Sequence, residues 1–84
     1  MLRIAIIGAI LDEPESATHK FNEIVAQHKS IVIGRMGIPL ADDGISVISI
    51  TVKGTLDEIN SFTGLLGRIP GVTVKTSISK KELK

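Results

Sequence analysis

The 84-residue sequence contains no cysteine, no tryptophan and no tyrosine. The absence of cysteine excludes disulfides, thiolate metal ligands and cysteine redox motifs. The aromatic residues are limited to Phe21 and Phe62, which fall on apolar helix faces and are not free to stack on bases. The formal net charge is +1, and the basic residues are scattered except in the C-terminal segment SKKELK. A basic stripe is therefore also missing, and we expect no direct nucleic-acid binding.

Long hydrophobic runs are equally scarce. The N-terminal run MLRIAIIGAIL lacks a small-residue cleavage site and is too short to span a membrane, so we expect neither a signal peptide nor a membrane contact. The default expectation is then a cytoplasmic location. The length predicts a single domain, at residues 1–79, followed by a polar tail at residues 80–84. A domain of this size has a thin stability margin, which association would increase.

The periodicity of the apolar residues predicts four strands and two helices. Strands are predicted at residues 2–11, 30–38, 45–53 and 72–79, with an amphipathic helix after the first strand and another after the third. Each helix follows a capping-box pattern, Asp12 with Glu15 in the first and Thr55 with Glu58 in the second. Right-handed crossovers in a β-α-β-β-α-β chain predict an α+β, ferredoxin-like fold. Its four-stranded antiparallel sheet has the order 4-1-3-2, with both helices on one face.

The second strand, IVIGRMGIPL, is interrupted by glycines. One interpretation is an edge strand with a β-bulge, because glycine and proline are common at such edges. The other interpretation is that Gly34 and Gly37, which have no side chains, leave the backbone accessible to a ligand or a neighbouring subunit. Arg35 would then contact an anion. A pocket between subunits would then lie near this segment and the first loop, at Asp12.

The sheet face without helices is predicted to be small and apolar. The alternation of the strands predicts that Ala5, Ile7, Val47 and Ser49 lie on this face, and an exposed apolar face favours association. We therefore expect a homo-oligomer, a dimer or a tetramer, because symmetric assemblies are the commonest solution.

Residues that could carry chemistry are few. His19 and His28 are nine positions apart on the first helix, which places them on opposite sides, so they cannot chelate one ion. An acylphosphatase-like hydrolase would need an arginine in the first loop, whereas Arg35 lies elsewhere and could only be combined with Asn22 or Asn60. No catalytic set, no metal site and no cofactor is expected.

Two segments resemble a known family. GRMGIPL at residues 34–40, followed by an acidic turn, and LLGRIPGVTVKT at residues 65–76 resemble the small iron-only hydrogenase system regulators. That family is similar to the C-terminal domain of the nickel-responsive repressor and to ACT domains. The resemblance implies an oligomeric regulatory domain. It implies neither the repressor's histidine and cysteine metal site nor its DNA-binding arm, and Glu15 stands where ACT domains have a glycine.

Three functions are consistent with these observations. The first is a non-enzymatic regulatory domain, a transcriptional regulator of an iron-only hydrogenase system that binds a small-molecule effector between subunits. The second is a structural or assembly module that binds a protein partner and no effector. The third is a small acylphosphatase-like hydrolase, which the missing arginine disfavours.

Overall fold

The computed structural model describes all residues, 1–84, and confirms the predicted fold. Four antiparallel strands form one sheet in the order β2-β3-β1-β4. The elements are β1 (Arg3–Leu11), α1 (Pro14–Gln27), β2 (Val32–Leu40), a short 3₁₀ turn (Ala41–Asp43), β3 (Ile45–Gly54), α2 (Leu56–Gly67) and β4 (Val72–Ile78). This order is the predicted 4-1-3-2 arrangement read from the other edge, and it makes β2 an edge strand.

Both helices cover one face of the sheet, and the core lies between the two layers. Sixteen apolar residues form this core, and no buried residue is polar or charged. Phe21 of α1 and Phe62 of α2 are both completely buried, as their positions on the apolar helix faces predict. The two aromatic side chains therefore serve packing.

The two helices begin differently. In α2, the Thr55 hydroxyl accepts the Glu58 backbone N–H at 3.1 Å and the Glu58 carboxylate accepts the Thr55 N–H at 2.9 Å, which confirms the second capping box. The capping box predicted at Asp12 is wrong, because Glu13 is the N-cap residue of α1 and makes no side-chain cap bond. The Asp12 backbone N–H donates to the Gly71 carbonyl at 2.8 Å, so the residue after β1 is held by the residue before β4.

The capping box gives a first prediction. Replacing Thr55 by alanine removes the acceptor for the Glu58 N–H and is expected to lower the free energy of unfolding by about 1 kcal/mol. Ser61→Ala, an exposed position within the same helix, is the matched control and should leave stability unchanged or slightly higher. Urea denaturation followed by circular dichroism measures both. Equal stability of the two variants would contradict the role of the cap.

The faces of β1 are the reverse of those expected. Residues paired across strands share a face, and Ala5 pairs with Val52 while Ile7 pairs with Ile50. Ala5 and Ile7 are therefore in the core beneath the helices, with 1% and 0% of their surface exposed. Their prediction as residues of the uncovered face is wrong.

The C-terminal residues return to the sheet. Leu83 pairs with Leu2 in an isolated antiparallel bridge, and Arg3 forms an ion pair with Glu82 at 2.8 Å. The Ser79 hydroxyl also accepts the Ile4 N–H at 3.1 Å. The polar tail thus lies against the start of β1. Neither helix of the fold has the length and apolar composition needed to cross a membrane.

Candidate functional site

The sheet face opposite the helices carries five of the eight exposed large apolar side chains of the chain. We call it the open face and define it by the residues that alternate away from the core: Ile4, Ile6, Gly8 and Ile10 of β1; Gly34, Met36, Ile38 and Leu40 of β2; Ile45, Val47, Ser49, Thr51 and Lys53 of β3; and Thr73, Lys75 and Ser77 of β4. Five of its large apolar side chains, from Leu40 at 40% to Met36 at 64%, are about half exposed. A contiguous patch of this kind marks an interaction surface.

Three rows of residues cross the middle of the open face. The first contains Ile38, Val47, Ile10 and Thr73; the second contains Met36, Ser49, Gly8 and Lys75; the third contains Gly34, Thr51, Ile6 and Ser77. The first row is apolar across three strands. In the second row, the two central strands carry the small residues Ser49 and Gly8. The surface of the open face is therefore depressed at its centre. Val47 and Ser49 lie on this face as predicted.

The glycines of β2 lie on the exposed edge of the sheet. The register with β3 shifts between Val32 and Gly34, which places a bulge at Ile33 and confirms the edge-strand interpretation. A Cβ added at Gly34 or Gly37 would meet no atom within 4 Å. A shallow depression of about 420 Å³ lies over Gly34 and is lined also by Met36, Ser49 and Thr51. Gly34 therefore leaves a hollow on the open face, whereas Gly37 pairs with Ile48 and lies on the helix side of the strand.

Arg35 lies on the other face of the same strand. It pairs with Ile50 in the register, and its guanidinium donates from Nη2 to Asn22 Oδ1 at 2.6 Å. The guanidinium carbon lies 5.7 Å from the centre of the Phe21 ring, within the range of a cation–π contact. Arg35 thus holds the edge strand to α1 and covers the rim of the core. The contact with an anion that was expected of Arg35 stays a prediction.

Asp12 does not meet the glycine segment within one chain. It follows Leu11, which pairs with Ser46, whereas Gly37 pairs with Ile48 and Gly34 with Thr51. Along the strands, the level of Leu11 is thus two residues from that of Gly37 and five from that of Gly34, about 7 Å and 17 Å. Strand β3 also lies between β1 and β2. A groove of about 390 Å³ lies near the first loop, between Pro14 and Thr18 of α1 and Pro39 and Ser46 of the sheet. Asp12 is not among its lining residues.

The histidines belong to separate environments. The His28 ring stacks on Phe62 with a centroid distance of 4.8 Å, and its Nδ1 lies 2.8 Å from the Ile24 carbonyl oxygen. The side chain of His19 is 94% exposed and lies 3.8 Å from Glu23. No group of three or more His, Cys, Asp or Glu side chains is arranged to hold a metal ion. His28 is thus part of the packing at the end of α1.

Five exposed large apolar residues of the open face were not among the predicted interface residues. They are Ile6, Ile10, Met36, Ile38 and Leu40. For β2, the alternation with glycine gave a usable signal, since Met36, Ile38 and Leu40 follow Gly34 at steps of two. For β1 there was no such signal, because both sets of alternating residues are apolar.

Comparisons with known proteins agree with the fold. The uncharacterized protein TM1266 from Thermotoga maritima superposes with a TM-score of 0.91 at 29% identity, over 95% of this chain and 100% of that one. The C-terminal domain of the MgtC protein from Mycobacterium tuberculosis gives 0.71 at 18% identity, over 94% and 89% of the two chains. Divalent ion tolerance protein CutA1 from Ehrlichia chaffeensis gives 0.51 at 17% identity, over 99% and 87%. The last two share the fold alone.

The sequence comparisons assign the family. A search of the curated proteins gives no match. A family model matches residues 3–76, a range that includes both of the segments on which the resemblance was based. The chain therefore belongs to the TM1266-like family, whose description is "Iron-only hydrogenase system regulator, putative".

Proposed function

We propose that this chain is a regulatory domain of an iron-only hydrogenase system that works as a homo-oligomer and catalyses no reaction. The observation that supports this most is the open face, where Ile6, Ile10 and Ile38 are each about half exposed on an otherwise well-packed domain. Large apolar side chains in one contiguous patch favour burial against another protein surface. The family description supports the regulatory part of the proposal.

The charge distribution supports an indirect effect on transcription. A net charge of +1 is too small for the strongly basic surface that non-specific DNA binding requires. A regulator of this kind would act through a DNA-binding partner or through an effector. The groove beside Pro14 and Pro39 is a candidate place for a small-molecule effector, because it lies between the start of α1 and the connection from β2 to β3.

Association is tested directly by mass. Light scattering coupled to size-exclusion chromatography at micromolar concentration is expected to give at least twice the chain mass of 9.0 kDa, because a contiguous patch of exposed apolar side chains favours association. A monomer at that concentration would sink the oligomer proposal. Turnover of acetyl phosphate would contradict the non-enzymatic part.

An assembly module without an effector is the second candidate, and the same open face favours it, since an apolar sheet surface can also bind a different protein. Native mass spectrometry of the protein as purified from its own cells separates the two. A retained small molecule on the oligomer supports the effector-binding regulator. A stoichiometric second polypeptide with no small molecule supports the assembly module.

A further inference from the structure

The two ends of the open face carry opposite charges. Asp42 and Asp43 lie in the turn between β2 and β3, Lys53 lies at the far end of β3, and all three are exposed. Ile45 at the acidic end and Lys53 at the basic end are each four residues from Ser49, which is therefore the midpoint of the face along β3. Two copies with antiparallel strands would place each acidic end over a basic end, and charge complementarity of this kind sets orientation.

A two-fold rotation generates this antiparallel arrangement, and on β2 it matches a large side chain with a small one. A two-fold axis along the row of Ser49 and Gly8 places the row of Ile38 over the row of Gly34 in the second copy. Ile38 then enters the depression over Gly34, and Val47 meets Thr51. The opposite choice, with parallel strands, places the acidic ends over each other.

The centre of the open face allows two sheets to approach closely. Gly8 and Ser49 would each face the same residue of the second copy, and packed sheets are spaced about 10 Å apart. Lys75 ends this row on the edge strand β4, where its long side chain can extend its ammonium group into solvent. Four strands over eight residue steps give about 500 Å² of flat area per copy, and thus about 1,000 Å² in total, near the lower bound for a stable interface.

We propose that the open face is covered by the open face of a second copy, with antiparallel strands and the two-fold axis crossing the strands at Ser49 and Gly8. This inference rests on the proposed homo-oligomer and specifies its interface. A second copy fits this surface, because one rotation places the acidic end over the basic end, Ile38 over the depression at Gly34, and Gly8 over Gly8.

Single introduced thiols test this arrangement, because the chain has no cysteine of its own. Ser49→Cys, treated with a short bismaleimide, is expected to shift the denatured chain from 9.0 kDa to about twice that mass. Thr73→Cys and Ser77→Cys are the matched controls on β4. Each variant alone should stay at the monomer mass. When the two variants are mixed and allowed to exchange subunits, the crosslinked species should form. The reason is that Thr73 of one copy lies over Ser77 of the other.

The outcomes separate this arrangement from the oligomer itself. If the variants keep the oligomeric mass by light scattering but neither Ser49→Cys nor the mixture crosslinks, the face-to-face arrangement is wrong and the homo-oligomer stands. Crosslinking of Ser49→Cys without crosslinking of the mixture also overturns the face-to-face arrangement proposed here, because the two-fold axis would then run in another direction. If the unmodified protein is a monomer by light scattering, both the oligomer and this interface are wrong.

Discussion

Replacing Ile7 by aspartate is expected to unfold the domain, whereas the same replacement at the adjacent Ile6 is expected to leave it folded and monomeric. Ile7 is completely buried beneath the helices, while 57% of the Ile6 surface is exposed on the open face. A carboxylate at Ile7 has no partner in a core without polar groups, and an unpaired buried charge costs several kcal/mol. A domain of this size has about 4–13 kcal/mol of stability in total, so the fold would be lost.

The carboxylate at Ile6 acts on association instead. In the free chain it stays in water, so its effect on the fold is small. In the oligomer it would be buried against an apolar surface, which opposes assembly. Far-UV circular dichroism measures folding, and light scattering measures mass. Ile6→Val and Ile7→Val are the matched controls and should keep both the fold and the oligomer.

This pair of variants also tests the assignment of the faces. A folded Ile7→Asp variant together with an unfolded Ile6→Asp variant would mean that the two faces of β1 are reversed. A folded Ile6→Asp variant that keeps the oligomeric mass would show that the open face is not the interface, and association would then have to involve the exposed edge of β2.

The order of elements and the layer arrangement could be predicted from the sequence because each rests on a local pattern. Helix spacing, the capping box at Thr55 and the turn residues all act within a few positions. The edge position of β2 followed from topology, and its bulge from the glycines. One local detail failed at the start of α1, where the hydrogen bond from Asp12 to Gly71 keeps Asp12 out of the cap. That contact joins positions far apart in the sequence.

The faces of β1 could not be predicted, because both of its alternating sets are apolar. In β3 the two sets differ clearly, since Ile48 and Ile50 alternate with Ser49 and Thr51. The faces of β1 are therefore set by its register with β3, where Ile7 is opposite Ile50. The connection between these strands passes through α1 and β2, and so no turn fixes that register. A shift of one residue reverses every side chain.

The role of Arg35 was equally hidden from the sequence. Its contacts with Asn22 and Phe21 join β2 to α1, and they depend on the helix crossing the sheet at one particular position. From the sequence, an arginine between two glycines indicates a ligand contact as readily as a packing contact. The structure shows the second of these, and the first stays a prediction.

Replacing Phe62 by alanine is expected to have the largest effect among truncations of core side chains. The side chain is completely buried and its ring stacks against His28 at 4.8 Å, so its removal leaves a cavity and ends that stacking. Truncation of a buried phenylalanine costs about 3–5 kcal/mol. At about 4–8 °C per kcal/mol for a domain of this size, the melting temperature should fall by about 12 °C or more.

The melting temperature of the Phe62→Ala variant is also expected to depend on protein concentration. Because an oligomer stabilises the folded state by mass action, the melting temperature of Phe62→Ala should rise when the protein is concentrated from the micromolar to the millimolar range. Adding Ile6→Asp to this variant should abolish that rise. Phe62→Leu, which fills more of the space, is the control and should cost less stability than Phe62→Ala. A melting temperature that does not change with concentration in Phe62→Ala would show that folding and association are not coupled in this domain.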